Sequence, residues 1–260
     1  MKELKLLMIG NSFSEDTVRY VYEIAGAAGI EKINVCNMYI GGCSLKTHYE
    51  NALSNAASYD FQTYENGEWN HDYGKTLEYG IVYADWDFIS LQQSSGLSGI
   101  PSSYADLNSL MNYVKSVATN PDFKFIWNMT WAYQQDSTHE DFVKYDKNQL
   151  YMYNAIIDAV KSQIIGKDFE LIVPVGTAVQ NARTSFIGDT LTRDGYHLSY
   201  DVGRYLAGLT LVRSLCGKDV SGVSYSPEGV SETVRKICKE SAENAFRKPF
   251  EITSSAFTKN

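Results

Sequence analysis

Residues 4–14 read LKLLMIGNSFS, and the prediction of the fold starts from them. Leu4–Ile9 is a short apolar run, typical of a buried strand, and a Gly-Asn-Ser turn follows it at once. A helical pattern then begins near Asp16. A strand, a tight turn and a helix start in succession are typical of an open α/β sheet, in which ligands bind beyond the carboxyl ends of the strands. The Ser12 hydroxyl is therefore expected at a ligand-binding edge.

Two interpretations of this turn are open at this point. Gly-Asn-Ser is ordinary turn chemistry, and Ser14 followed by two acidic residues is an ordinary helix cap. Alternatively, Ser12 is a nucleophile, because backbone N–H groups of the next helix's first turn would lie beside its hydroxyl as an oxyanion site. The rest of the chain has to decide between them.

Composition and charge exclude several classes of protein. The 260 residues are 44% hydrophobic and 21% charged, which favours one domain over residues 1–260. The net charge of −8 without a basic run argues against a nucleic-acid partner. No apolar segment approaches the roughly 18 residues of a membrane span. Leu4–Ile9 is too short for a signal peptide, so the location is left open: cytoplasmic, or periplasmic or secreted if a leader was removed. The oligomeric state is also left open.

The cysteines and histidines show no metal-site spacing, so we expect neither a metal nor another cofactor. The four cysteines are interpreted as small buried hydrophobic residues; they are Cys36, Cys43, Cys216 and Cys238. His48 and His71 are interpreted as surface or packing residues, and His139 as a helix-start residue beside two acids.

Strand and helix patterns alternate along the chain. Four further apolar runs predict strands at Ile33–Met38, Trp86–Leu91, Phe123–Trp127 and Leu171–Val175. Helical periodicity predicts helices at Thr17–Ala28, Lys46–Ala57, Leu77–Ala84, Tyr104–Ala118, Phe142–Ile165, Ser199–Leu215 and Ser231–Phe246. Between about residues 58 and 80, two strand-like runs flank Asn66-Gly67 and predict a small β-hairpin insertion. The whole pattern predicts an α/β fold, a three-layer α/β/α sandwich around a five-stranded parallel sheet.

A second motif, Asp194-x-x-His197, follows the fifth predicted strand. An Asp three residues before a His can place its carboxylate against the imidazole Nδ1–H, which leaves Nε2 free to take a proton from a serine. Alone, the motif is weak evidence for catalysis, because Asp194 could be a turn residue and His197 a helix-start histidine. In a doubly wound sheet, however, this motif and Ser12 lie at the same edge.

These blocks together resemble those of the SGNH (GDSL) hydrolases. Residues 10–14 resemble the first block, with Asn11 where Asp is usual, and Asp194–His197 resembles the last block. Gly41-Gly42 stands where the second block places an oxyanion glycine. The resemblance spans residue 5 to about residue 215. It implies a flavodoxin-like fold and ester hydrolysis through an acyl-enzyme, with Ser12 as nucleophile. In this interpretation Ser14 is left as the helix cap.

The third block departs from the family pattern. The family usually has Gly-x-Asn-Asp after the third strand, with the Asn side chain in the oxyanion hole, whereas this chain has Gln92-Gln93-Ser94-Ser95. A glutamine amide carries the same N–H donors on a longer stem. We therefore expect Gln92 or Gln93 to join the Ser12 and Gly42 N–H groups in the oxyanion hole; alternatively, both glutamines bond loop backbone. The pattern resembles a little-characterised branch of the family, often found beside carbohydrate-processing genes.

Aromatic loop residues suggest the substrate class. Trp131 and Tyr133 follow the fourth strand, and Trp69 and Tyr73 lie in the hairpin, where their rings could stack on a sugar or acyl group or simply pack the loops. Few loops are apolar, which argues against a lipase. The sequence therefore predicts a deacetylase acting on acetylated carbohydrate. The alternatives are a thioesterase or arylesterase of the same fold, and a glycan-binding protein without turnover.

Overall fold

The computed structural model describes residues 3–65 and 67–258. Its strands are β1 (Leu4–Gly10), β2 (Ile33–Tyr39), β3 (Tyr59–Glu65), β4 (Glu68–Lys75), β5 (Phe88–Leu91), β6 (Lys124–Asn128) and β7 (Leu171–Val173). They form one sheet in the order β4-β3-β2-β1-β5-β6-β7. Five neighbouring strands of this sheet run parallel to one another. They are, in spatial order, β2, β1, β5, β6 and β7. The predicted α/β fold with a flavodoxin-like parallel sheet is confirmed.

The helices lie in two groups that pack separately. Their bounds are α1 (Ser12–Val18), α2 (Val21–Ala27), α3 (Leu45–Ser54), α4 (Leu77–Val82), α5 (Leu107–Val117), α6 (Gln149–Gln163), α7 (Val175–Arg183), α8 (Val202–Cys216) and α9 (Glu232–Arg247). Helices α1, α2, α7 and α9 contact α8, whereas α3 and α4 contact α5. Leu6–Ile9 of β1 are almost completely buried, as expected for a strand covered on both faces. Within residues 3–65 and 67–258, no helix has the length and apolar character to cross a membrane.

The predicted hairpin extends the main sheet. β3 runs antiparallel to β2, with Asp60 opposite Tyr39, and β4 pairs with β3. The predicted turn residue Asn66 lies outside the described residues. Because β3 runs antiparallel to β2, the far end of the hairpin lies toward the amino end of the parallel strands. Trp69 pairs with Tyr64 at that far end, whereas Tyr73 pairs with Asp60 at the carboxyl edge.

The helix predicted at Thr17–Ala28 is wrong in its start and its continuity. The structure has α1 and α2 in its place, and Asn11 rather than Ser14 caps α1: its Oδ1 accepts a hydrogen bond from Phe13 N at 3.0 Å. Ser14 lies inside α1 with no exposure. The acidic residues that suggested a cap at Ser14 follow Asn11 equally well, because an N-cap side chain is bonded two or three residues downstream.

Two other helix predictions need correction. The segment Glu140–Tyr145 is a 3-10 turn, and Asp146 and Lys147 have φ of 54° and 49°, which separates it from α6. Helix α7 was not predicted. All nine of its residues are buried, its polar side chains included, and it begins at Val175, within the apolar run Leu171–Val175 that predicts the fifth strand. The predicted strand therefore hid the start of this helix.

Candidate active site

Ser12 lies where the chain passes from the central strand into α1. β1 ends at Gly10, Asn11 adopts an extended conformation, and Ser12 is the first residue of α1. Asn11 uses both ends of its side chain, since Oδ1 caps Phe13 N at 3.0 Å and Nδ2 donates to Cys43 O at 3.0 Å. The amide thus fixes the turn that carries the serine.

The structure brings Ser12, His197 and Asp194 together in one hydrogen-bonded chain. Ser12 Oγ lies 2.8 Å from His197 Nε2, and His197 Nδ1 lies 2.7 Å from Asp194 Oδ2. Asp194 Oδ1 also accepts from His197 N at 2.8 Å and from Tyr196 N at 3.2 Å. One carboxylate therefore orients both the imidazole ring and the backbone of its loop. With the proton on Nδ1, Nε2 accepts the hydrogen bond of the serine hydroxyl.

Asp194 is held in its ionised form. Burial raises the pKa of this carboxyl, but the hydrogen bonds from the His197 side chain and from two backbone N–H groups lower it more, so the net pKa is below its ordinary value. A carboxylate that stays ionised can stabilise a charged imidazolium beside it.

The loop that carries His197 rests on the loop after β6. Gln134 N donates to Gly195 O at 2.8 Å, and Trp131 Nε1 donates to Tyr196 O at 2.7 Å. The Trp131 ring stacks on Phe13 with centroids 4.0 Å apart, and Phe13 meets the His197 ring edge-on. The Phe13 ring, which is itself stacked on Trp131, therefore packs against the imidazole and supports it.

This arrangement corrects the predicted substrate contacts. Trp131 and Tyr133 are each 0% exposed, so both are buried supports that no substrate reaches. Tyr133 Oη is hydrogen-bonded to Ser95 Oγ at 2.8 Å. Trp69 packs edge-on against Tyr22 and Tyr64 at the far end of the hairpin, away from the carboxyl edge. Sequence could not show this, because an aromatic residue after a strand can point into the core or out of it.

The Gly41-Gly42 loop lies beside the serine turn. Ile40 N donates to Gly10 O at 3.3 Å, and Asn11 Nδ2 holds Cys43 O. Gly42 has φ of +65°, which favours glycine, and both glycines are exposed. The loop is thus fastened on both sides of Gly42 to the turn that carries Ser12.

Gln92 lies directly behind the serine turn. Its Nε2 donates to Asn11 Oδ1 at 2.8 Å, and its Oε1 accepts from Asn128 Nδ2 at 2.8 Å. The amides of Asn128, Gln92 and Asn11 therefore form a directional chain across the carboxyl ends of β6, β5 and β1. It ends at Cys43 O in the loop after β2.

Gln93 forms hydrogen bonds mainly with the backbone of neighbouring loops. Its Nε2 donates to Ser103 O at 2.9 Å and to Ser103 Oγ at 3.0 Å, and its Oε1 accepts from Leu45 N at 3.0 Å and from Ser94 N at 2.8 Å. Both amide hydrogens thus have acceptors. Gln93 is therefore corrected from a candidate oxyanion donor to a residue that ties the β5 loop to the start of α3.

The remaining histidines lie outside the Ser12 site. His48 is fully buried on α3, its Nδ1 lies 2.9 Å from Tyr59 Oη, and burial lowers its pKa to about 3. His71 Nδ1 lies 2.7 Å from Asp60 Oδ2 on the hairpin. His139 caps the 3-10 turn after it, as predicted. Among the residues that the structure describes, no group of three or more His, Cys, Asp or Glu side chains is placed to hold a metal ion.

Two residues next to this site, Asp16 and Arg193, belong to no motif that the sequence shows. Asp16 on α1 is completely buried, and Arg193 beside Asp194 donates to it from 177 positions along the chain. Polar residues this far apart show their pairing only in the folded chain. The sole local signal was that Asp16 stands one helical turn after Ser12.

Comparison with solved structures finds a relative that matches almost the whole chain. The crystal structure of a DUF4886 family protein from Bacteroides uniformis is 42% identical, with a TM-score of 0.94, and the match covers 97% of this chain and 98% of that one. An α/β hydrolase enzyme, LAE5, from the metagenome of Lake Arreo is 10% identical, with a TM-score of 0.50, over 86% of this chain and 97% of that one. This second likeness shows the fold alone.

Weaker likenesses include a protein from Slackia heliotrinireducens provisionally described as an SGNH hydrolase. It is 19% identical, with a TM-score of 0.49, over 82% of this chain and all of that one. No match was found among curated proteins. The family model for DUF4886, described as a domain of unknown function, matches residues 5–245. The chain therefore belongs to the DUF4886 family.

Proposed function

We propose that this protein is a serine esterase that works through an acyl-enzyme. This proposal rests on the chain of hydrogen bonds from Ser12 Oγ through His197 to Asp194. In the first half of the reaction, Ser12 Oγ attacks the ester carbonyl carbon while His197 Nε2 takes the hydroxyl proton. His197 returns that proton to the leaving alcohol as the bond to it breaks. Water then repeats both steps on the acyl-enzyme and releases the acid.

The negative oxygen of the intermediate needs donors on the other side of Ser12. The Ser12 and Gly42 backbone N–H groups are the proposed pair, because the loop that carries Gly42 is fastened to the serine turn through Gly10 and Asn11. Gln92, the other predicted side-chain donor, is 1% exposed and is bonded to Asn11 and Asn128, so its proposed part is to hold the serine turn and not to contact the oxyanion. The two backbone N–H groups are therefore the proposed oxyanion donors. Losing one such donor typically costs on the order of 10²–10³ in turnover.

The proposed substrate is a small acyl ester, acetyl above all, on a carbohydrate. Two exposed tyrosines lie at this edge. Tyr200, three residues after His197, is 63% exposed, and Tyr73 at the carboxyl edge of the hairpin is 72% exposed. A phenol ring can cover the apolar face of a sugar while its hydroxyl bonds to polar groups. We therefore assign stacking on the sugar to these two exposed rings and not to the buried Trp131 and Tyr133.

A serine-reactive fluorophosphonate probe tests the nucleophile. We expect the wild-type protein to be labelled, Ser12→Ala to be unlabelled, and the control Ser162→Ala on the exposed face of α6 to be labelled like wild type. Hydrolysis of p-nitrophenyl acetate should follow the same order. A wild-type protein that neither reacts with the probe nor hydrolyses the ester would contradict the proposal and favour a glycan-binding protein. A panel of acetylated sugars, thioesters and aryl esters would then rank the substrates.

A further inference from the structure

A completely buried carboxylate lies one helical turn below the proposed nucleophile. Asp16 is 0% exposed and accepts hydrogen bonds from three residues. Leu198 N donates to Oδ2 at 2.9 Å and Arg204 Nε donates to Oδ1 at 2.7 Å. Arg193 Nη1 lies 3.0 Å from Oδ1 and 3.2 Å from Oδ2. Every acceptor atom of the side chain is therefore in use.

Burial of this charge is costly unless it is paired. An isolated carboxylate in the interior loses its hydration, and the loss is offset only by close charges and by hydrogen bonds that fill its lone pairs. Here two guanidinium groups and one backbone N–H do so. Glu15 lies 3.8 Å from Arg204 Nη2 and balances the second positive charge. The arrangement is thus a compact, nearly neutral cluster that holds its members in fixed positions.

The cluster joins three separate segments of the chain. Asp16 is on α1 with Ser12, Arg204 is on α8, and Leu198 directly follows His197. Arg193 Nη1 donates to Leu198 O as well as to Asp16. The residue next to the proposed base is therefore held at its N–H by Asp16 and at its C=O by the arginine that Asp16 binds.

We propose that Asp16 is a positioning residue that sets the distance between Ser12 and His197. Asp194 orients the imidazole ring, whereas Asp16 fixes the backbone of the loop that carries the ring against the helix that carries the serine. This inference rests on the proposed esterase function for its kinetic consequence, but its structural consequence stands without it. A displacement of about 1 Å between reacting groups can cost on the order of 10² in rate.

The test replaces Asp16 by Asn, which keeps the size of the side chain. Both oxygens of Asp16 face donors, so one of them would become an NH₂ group opposed to Leu198 N–H or to an arginine. We expect kcat for p-nitrophenyl acetate to fall about 10²-fold with KM nearly unchanged. The rate of fluorophosphonate labelling should fall in parallel, and in a crystal structure Ser12 Oγ should lie beyond hydrogen-bond distance of His197 Nε2.

Glu243→Gln is the matched control. Glu243 is another buried carboxylate on this side of the sheet, bonded to Arg213 Nε at 2.9 Å and to the backbone N–H of Val220 at 2.8 Å. Glu243→Gln should lower the free energy of unfolding about as much as Asp16→Asn does, while its kcat stays at the wild-type value. Arg193→Lys keeps the charge but not the shared geometry. It serves as the second variant if Asp16→Asn does not fold, with the same expected fall in kcat and the same displacement.

The outcomes separate the two proposals. If the folded Asp16→Asn protein keeps its kcat and its Ser12–His197 distance and loses only stability, as Glu243→Gln does, the positioning role is overturned. If wild type itself shows neither labelling nor hydrolysis, the esterase proposal fails, and the distance in the variant structure still decides the role of Asp16.

Discussion

Ser12 Oγ and His197 Nε2 lie 2.8 Å apart although their residues are separated by 185 positions in the chain. Ser12 follows the central strand, and His197 lies in the loop before α8. The sheet topology brings both segments to the carboxyl edge, and Asp194, three residues from His197, completes the chain of hydrogen bonds.

Asp194→Asn should lower kcat for p-nitrophenyl acetate by about 10⁴-fold. An asparagine can donate its amide N–H to Nδ1, which would favour the tautomer with the proton on Nε2, where a base cannot accept one. Asp219→Asn is the control, because Asp219 also accepts from a backbone N–H two residues on, at 2.7 Å, in an exposed turn. Equal activity of the two variants would show that Asp194 has no part in the chemistry.

Gly10→Ala should destabilise the protein by about 1–3 kcal/mol because the site is already filled. A Cβ at Gly10 would lie 2.6 Å from Ser14 Oγ and 2.9 Å from Gln92 Cδ, atoms that are themselves buried. Gly26 in α2 has nothing within 4 Å of the same position, so Gly26→Ala should instead stabilise by about 0.4–1 kcal/mol. Urea titrations of both variants measure the difference, and equal midpoints would argue against close packing behind the serine turn.

The buried thiols should react slowly with thiol reagents at pH 8. All four cysteines are free; Cys36, Cys43 and Cys238 are buried as predicted, whereas Cys216 is partly exposed. Burial raises the pKa of Cys36, Cys43 and Cys238 to about 12 each, and the thiolate is the reactive form. Iodoacetamide should modify the native protein far more slowly than the urea-unfolded protein and leave esterase activity intact. Rapid loss of activity on alkylation would implicate a cysteine in the site.

His48 should make the protein less stable in acid. Burial lowers its folded-state pKa from 6.5 to about 3, so between these values the unfolded chain binds one proton more than the native protein. The free energy of unfolding therefore falls as pH falls below about 6.5, by about 1.4 kcal/mol per pH unit from this group. In His48→Gln that contribution is absent, so its stability should fall less steeply from pH 6.5 to 4.5. Equal slopes for His48→Gln and wild type would contradict this account.

Tyr73→Ala should weaken binding of the carbohydrate part of the substrate. Tyr73 is 72% exposed at the carboxyl edge, where its ring lies parallel to that of His71. We expect a higher KM for an acetylated oligosaccharide and an unchanged KM for p-nitrophenyl acetate, which has no sugar. Tyr151→Ala, with a 51% exposed ring on α6, is the control. A Tyr73 variant with wild-type KM for both esters would place the sugar elsewhere.

Local patterns in the sequence determined most of the fold and the three central residues. Apolar runs of strand length alternating with amphipathic helices determined a parallel α/β sheet, because the side-chain period of each element is a local property. The Gly-Asn-Ser turn and Asp194-x-x-His197 are also local, so their chemistry could be read from residue type and spacing. Helix α7 was not predicted because it begins at Val175, within the apolar run that predicts the fifth strand.

Only the tertiary structure decided what surrounds those residues. Which face an aromatic or amide side chain takes depends on neighbours far away in the chain. For this reason Trp131 lies under the His197 loop, and Gln93 bonds to Ser103 instead of facing an oxyanion. The link from Asp16 to Leu198 spans 182 positions. No periodicity records such a contact, because it exists only once the sheet has brought α1 and the loop before α8 to the same edge.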